Sequence, residues 1–192
     1  MHRRPLLDML DRYLQRYAEE EAVVRRICEL VEGNSNCFER TCRTGHVTGS
    51  AWVLSPDRTQ CLLLHHNKLA RWLQPGGHAD GQGDIVAVAR REVTEETGLT
   101  DLKLVRDSNQ EVVPLDVDVH LIPAFISPDG KCLETSHEHH DIRFLFMAGS
   151  DQSLQINDES NDLRWFTHDE VVTVTDEPSV LRMLLKAGPF NP

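Results

Sequence analysis

Three glutamates, Glu92, Glu95 and Glu96, stand at i, i+3 and i+4 within the run Arg91-Glu92-Val93-Thr94-Glu95-Glu96-Thr97-Gly98-Leu99. The spacing predicts a helix over residues 85–97, with Asp84 as N-cap and Gly98 as the left-handed C-cap. At about 100° per residue the three carboxylates share one half of that helix with Ile85, Val88 and Ala89, and Ala87, Arg90 and Thr94 lie opposite. The acids therefore point where the apolar residues point. This is costly: like charges at i and i+4 repel, and the last turn of a helix disfavours anions. Burial of unpaired carboxylates adds several kcal/mol each. Arg91, four residues before Glu95, is one candidate partner, but one arginine cannot neutralise three glutamates. Oxygen-only ligands of this kind suit a hard divalent cation, Mg²⁺ or Mn²⁺. The competing reading is an acidic, solvated helix end, which the apolar facing disfavours.

A second constellation is His137-Glu138-His139-His140-Asp141, ahead of the apolar run Ile142 to Phe146. As a strand it places His137, His139, Asp141 and Arg143 on one side and His140, Ile142, Phe144 and Phe146 on the other. His120 lies in another alternating segment, with Asp116 and Asp118 on its face. Three readings stay open: a solvated strand end, the polar lining of a pocket, and a second metal site built from His120, His137 and His139. For the pocket, His120, His139 and His78 are candidate substrate contacts, and Arg143 is a candidate phosphate clamp. His46 reads as structural. Trp72 reads as a loop anchor, with stacking on a base as its alternative.

These groups need a scaffold. Residues 6–32 are predicted helical, with an apolar stripe and a break near Glu19-Glu20-Glu21. From Gly45 the pattern turns to strands. Residues 46–55 and 60–66 form a hairpin around Ser55-Pro56-Asp57-Arg58. Short strands are predicted near 102–105 and 111–113, an alternating strand at 115–122, a loop at 127–136, and strands at 141–147 and 163–166. Thr167-His168-Asp169-Glu170 fits a capping box, and residues 179–186 form a last helix, stopped by Gly188-Pro189.

The chain has 192 residues, 40% of them hydrophobic, 27% charged, and a net charge of −11. That composition fits one soluble domain and excludes a broad nucleic-acid-binding surface. No apolar run approaches the ~20 residues that span a bilayer. An odd set of five cysteines (Cys28, Cys37, Cys42, Cys61, Cys132), with no CxxC pair, points to free thiols and a reducing cytoplasm.

The stretch Gly77-(5)-Gly83-(7)-Arg91-Glu92-Val93-Thr94-Glu95-Glu96-Thr97-Gly98-Leu99 resembles the Nudix box, G-x5-E-x7-R-E-U-x-E-E-x-G-U, with U a bulky aliphatic. The resemblance runs from about Gly45 to Lys186. It implies an α/β fold, a Nudix-type α/β/α sandwich with a mixed β-sheet, here behind an N-terminal helical segment. The expected division is 1–40 for that segment and 41–192 for the hydrolase domain. The resemblance also implies divalent-metal-dependent hydrolysis of a pyrophosphate bond in a nucleoside diphosphate linked to another group. Glu92, Glu95, Glu96 and the carbonyl of Gly76 would hold the metal, and Arg91 would brace the acids. The general base would be a box glutamate, Glu138, Glu134 or Asp141. Gly83 stands where the box has glutamate, which in the family supports the acidic cluster and the arginine; Asp84 or a neighbouring acid is the expected substitute. The implied partner is a small phosphorylated, nucleotide-derived substrate, and a homodimer is an open option. The alternative is a Nudix-fold ligand-binding or regulatory module with impaired catalysis.

Overall fold

The computed structural model describes residues 2–157 and 160–188. Pro189, expected to help stop the last helix, lies outside them. Helices α1 (Arg4–Arg16) and α2 (Glu21–Gly33) are separated by a 3₁₀ turn at Ala18–Glu20, where the acidic run predicted a break. They are followed by β1 (Gly45–Leu54), β2 (Gln60–His66), β3 (Arg71–Leu73), β4 (Gly76–His78), α3 (Ile85–Thr97), β5 (Leu102–Leu104), β6 (Asp116–Ile122), β7 (Phe125–Ile126), β8 (Cys132–Glu134), β9 (His137–Ala148), β10 (Ser160–Thr167), α4 (His168–Val174) and α5 (Pro178–Ala187). Residues 111–113, expected as a strand, are not one, and the expected loop at 127–136 contains β8, which pairs with β7.

Among the described residues, β1 and β9 organise the other strands. They run parallel through ten paired positions, from Gly45↔Glu138 to Leu54↔Met147. β9 pairs antiparallel with β6 on its other side, and further along with β5. β1 pairs antiparallel with β4 and, near its end, with β2, which carries β3 and β10. The result is a mixed eight-stranded sheet.

Alternation along β1 divides the molecule into layers. Val47, Ala51 and Val53 join one apolar cluster with α3 and the N-terminal helices, in which Leu6, Leu10, Tyr13, Ile27 and Val31 are fully buried. Trp52 and Leu54 join a second cluster with Val171 of α4 and Val180, Met183 and Leu184 of α5. This is the expected sandwich, with the N-terminal helices packed into the first core. Gly49 lets α3 close on β1: a Cβ there would lie 3.0 Å from Val88 and 3.1 Å from Ile85. All five cysteines are free thiols. Among the described residues, no helix is long and apolar enough to cross a membrane.

Candidate active site

α3 is bounded as its sequence dictates. The Asp84 side chain accepts from the Ala87 amide, and Gly98 adopts φ 79° as the left-handed cap. The buried stripe is Ile85, Val88, Ala89, Val93, Glu96 and Thr97. Glu96, 8% exposed, accepts from the backbone N–H of Gly76 at 2.9 Å. Glu92 is half-buried and lies against Gly77, where an added Cβ would come 2.3 Å from its Oε2. A side chain at 77 would therefore displace the Glu92 carboxylate from its present position. Glu95 departs from the expectation: its side chain is 61% exposed, so it sits at the rim rather than facing inward. Burial pushes the Glu92 carboxyl above its ordinary range; Arg91 opposes that shift, and Glu95 and Asp80 reinforce it.

Arg91 ties the loop to the helix. Its Nη2 donates to Glu92 Oε1 at 2.6 Å and to the carbonyl of His78 at 2.7 Å, and its Nη1 donates to Gln82 Oε1 at 3.2 Å. Its Nε lies 3.9 Å from Glu95. These contacts bear on Gly83. Asp84, the expected substitute for the missing glutamate, is occupied as the N-cap, and Asp80 is paired with Arg40. The acceptor for Arg91 comes instead from Gln82. At Gly83 itself an added Cβ would lie 3.0 Å from the His2 carbonyl and 3.5 Å from Phe38, so the N-terminal segment occupies the space a side chain would take.

The β6 and β9 side chains share a face as the alternation predicts, with Asp116↔Arg143, Asp118↔Asp141 and His120↔His139 in register. Their roles differ from the expected ones. Arg143 is 2% exposed, and its three guanidinium nitrogens donate to Asp141 (2.7 Å), Asp116 (2.9 Å) and Asp118 (3.2 Å). It is a buried ionic brace rather than a phosphate clamp. Asp141 also accepts from Thr48 and Ser50, and Glu138 pairs with Arg26 at 2.6 Å and with His140. Both are committed to structure, which leaves Glu134 and the box glutamates as candidate bases. Trp72 packs edge-on against Phe166 as an anchor.

The histidines divide. His120 is exposed and bonds to Asp118. His137 is held by the Thr135 carbonyl at 2.9 Å and lies 3.3 Å from Nε2 of His139. His78 and His139 meet, but their third partner is His46, taken from sequence as structural. Only the β1–β9 register, His46↔His139, reveals this, and no local pattern around His46 signals it. Burial and the neighbouring His78 push His46 down to about 4; burial likewise lowers His78 and His139. The rings do not face the comb. On β4, Gly77 points at Glu92, and the next residue, His78, points to the other side, towards His46.

A family model described as NUDIX domain matches residues 45–186. The chain belongs to the Nudix family. The match covers the sheet and α3 to α5 and stops short of α1 and α2. Among solved structures, an Ap4A hydrolase from C. elegans in a binary complex is similar at 17% identity, with a TM-score of 0.51 over 73% of this chain and 93% of that one. A NUDIX family hydrolase from Clostridium perfringens is similar at 19% identity and a TM-score of 0.53, over 73% and 95%. A Nudix hydrolase from M. smegmatis, RenU, gives 17%, 0.53, 74% and 84%. At these identities the neighbours show the Nudix fold. No curated protein matches the sequence.

Proposed function

We propose that this Nudix protein is a hydrolase that cleaves a pyrophosphate bond in a small, nucleotide-derived substrate with the help of Mg²⁺ or Mn²⁺. The observation that carries the reading is the charge imbalance at the end of α3, where Glu92 and Glu95 share one arginine, Arg91, and Glu92 is half-buried beside it. The donor set is all oxygen and fits a hard divalent ion. Glu92, Glu95, Glu96 and the Gly76 carbonyl would hold it. Such an ion supplies charge neutralisation on the phosphates and lowers the pKa of a water.

The chain's own residues do the rest. Arg91 fixes Glu92 and the His78 carbonyl, which sets the distance between the β4 loop and the helix. Gln82 orients Arg91 from the loop side. Glu96 pins Gly76 through its amide. A box glutamate, with Glu95 exposed at the rim, would take a proton from the attacking water; Glu134, also exposed, lies 3.7 Å from His137. That water's oxygen forms the new bond to phosphorus, the bridging P–O bond breaks, and the leaving phosphate departs with the shared electron pair. Gly83 does not by itself argue for an impaired module, because Gln82 supplies the acceptor that Arg91 needs.

A panel of nucleoside diphosphate derivatives, dinucleoside polyphosphates and nucleotide sugars, assayed with Mg²⁺ and with Mn²⁺, tests the proposal. Phosphate or nucleotide release that depends on the cation and is lost in Glu95→Gln supports it. No release from any member with either cation, or release untouched by that substitution, would favour the regulatory module.

A further inference from the structure

Away from the glutamate comb, three adjacent strands deliver a histidine each to one place. His46 comes from β1, His139 from β9 at the paired position, and His78 from β4 beside Thr48. One ligand nitrogen from each ring lies within 4.8 Å of the others. The ring centroids are 5.1 Å apart for His46 and His78, 4.8 Å for His46 and His139, and 4.9 Å for His78 and His139.

His46 is the informative member. It is 2% exposed, and neither Nδ1 nor Nε2 has a hydrogen-bond partner. Leaving buried polar atoms unpaired costs about 1–3 kcal/mol each. An apolar residue here would avoid that cost, and Trp52, further along the same face of β1, shows that this face accepts such residues. The His46 ring is surrounded by the imidazoles of His78, His137 and His139, and among the described residues no acceptor or donor satisfies its nitrogens. A shared phosphate is a poor fit, because Arg40, a nearby cation, is bound to Asp80.

We infer that His46, His78 and His139 together bind one divalent transition-metal ion of the zinc class. Three imidazole nitrogens are soft enough to select such an ion over Mg²⁺ and can close by small ring rotations to the roughly 2.0–2.1 Å that Zn–N bonds require. Three protein ligands leave a coordination position for water or a ligand oxygen, the pattern of a reactive rather than a sealed site. His137, anchored on the Thr135 carbonyl, stacks on His46 with ring centroids 4.8 Å apart and lies 3.3 Å from His139, so it orients both rings. The site is separate from the glutamate comb, because β4 aims Gly77 and His78 to opposite sides.

Full-length protein is stripped of metal, reloaded with Zn²⁺ and dialysed against buffer containing excess Mg²⁺; Co²⁺ then serves as a visible-absorption probe. One zinc per chain should be retained, and cobalt should show the intense d–d bands of a low-coordinate nitrogen site. His78→Gln and His46→Phe should each lose the retained zinc and those bands, while Glu92→Gln/Glu95→Gln should keep both. His78 is only half-buried, so its variant decides the matter if His46→Phe fails to fold by circular dichroism. Retention of zinc in His78→Gln, its loss in the glutamate variant, or a wild type that retains none would overturn the site. None of these readouts depends on pyrophosphate hydrolysis, so the two proposals fail separately.

Discussion

Asp116, Asp118 and Asp141 form one acidic triad, and Glu92, Glu95 and Glu96 form another. Around the aspartates stand Arg143, Arg182 and Lys186. Arg182 donates to both oxygens of Asp116 at 2.8 Å and to Asp118 at 2.9 Å, and Lys186 reaches Asp116 at 2.6 Å. With Glu20, which Lys186 also meets at 2.5 Å, four carboxylates share three cations, and each aspartate of the triad has a cationic partner. Beside the glutamates stands Arg91, which Glu92 and Glu95 share. The titration behaviour separates the two in the same way. Burial raises Asp116 and Asp118, but the bonds from Arg182 to Asp116 and from His120 to Asp118, with the charge of Arg143, more than offset it, so both lie below the usual carboxylate range. Glu92 lies above it. Carboxyl count therefore says little about cation binding; uncompensated carboxyl charge says much more.

Several substitutions would sharpen or break that contrast. The largest effect is expected at the comb: Glu95→Gln or Glu96→Gln should lower cation-dependent turnover roughly a hundredfold or more, since each tenfold is about 1.4 kcal/mol of transition-state stabilisation. Steady-state assays across Mg²⁺ concentrations check this. Next, Arg143→Met should leave the buried Asp116 and Asp141 and the half-buried Asp118 without their shared cation and cost about 3–5 kcal/mol of stability, read from urea melts. A loss below 1 kcal/mol would mean that the aspartate cluster is not what its geometry implies.

Acid should act on Glu92 and on the pair Asp116 and Asp118 in opposite senses. Asp116 and Asp118 have folded pKa values below the unfolded value of about 3.9, so their contribution is fully present above pH 4 and is lost as pH falls through the folded values. Glu92 has a raised folded value, so its contribution is present at low pH and is lost as pH rises above about 4.3. Glu92→Gln should consequently raise the melting temperature of metal-free protein at neutral pH, whereas Asp118→Asn should lower it. The smallest effect is at Gln82→Ala, which should cut turnover by about 2- to 10-fold by loosening Arg91, within the range of outer contacts on a metal site. An unchanged rate would deny Gln82 the supporting role left open by Gly83.

The helix of the comb was legible because its signals are local: the N-cap, the C-cap glycine and the acid spacing all lie within fifteen residues. The strand faces of β6 and β9 were legible for the same reason. What those faces do was not. Arg143 reads as a phosphate clamp until β6 and α5 bring Asp116, Arg182 and Lys186 into its surroundings, and these come from segments distant in sequence. His46 is 93 residues from His139, and only the parallel register joins them. Gln82 was missed because the box pattern directs attention to position 83, while the loop geometry shifts the acceptor by one residue.

Titration of metal-free protein with Mn²⁺, followed by the loss of its electron paramagnetic resonance signal, tests the contrast most directly when wild type, Glu92→Gln/Glu95→Gln and Asp118→Asn are compared. Mn²⁺ binding should survive in Asp118→Asn and be lost in the double glutamate variant. Equal binding by all three, or loss confined to Asp118→Asn, would contradict the assignment of the cation to the α3 glutamates.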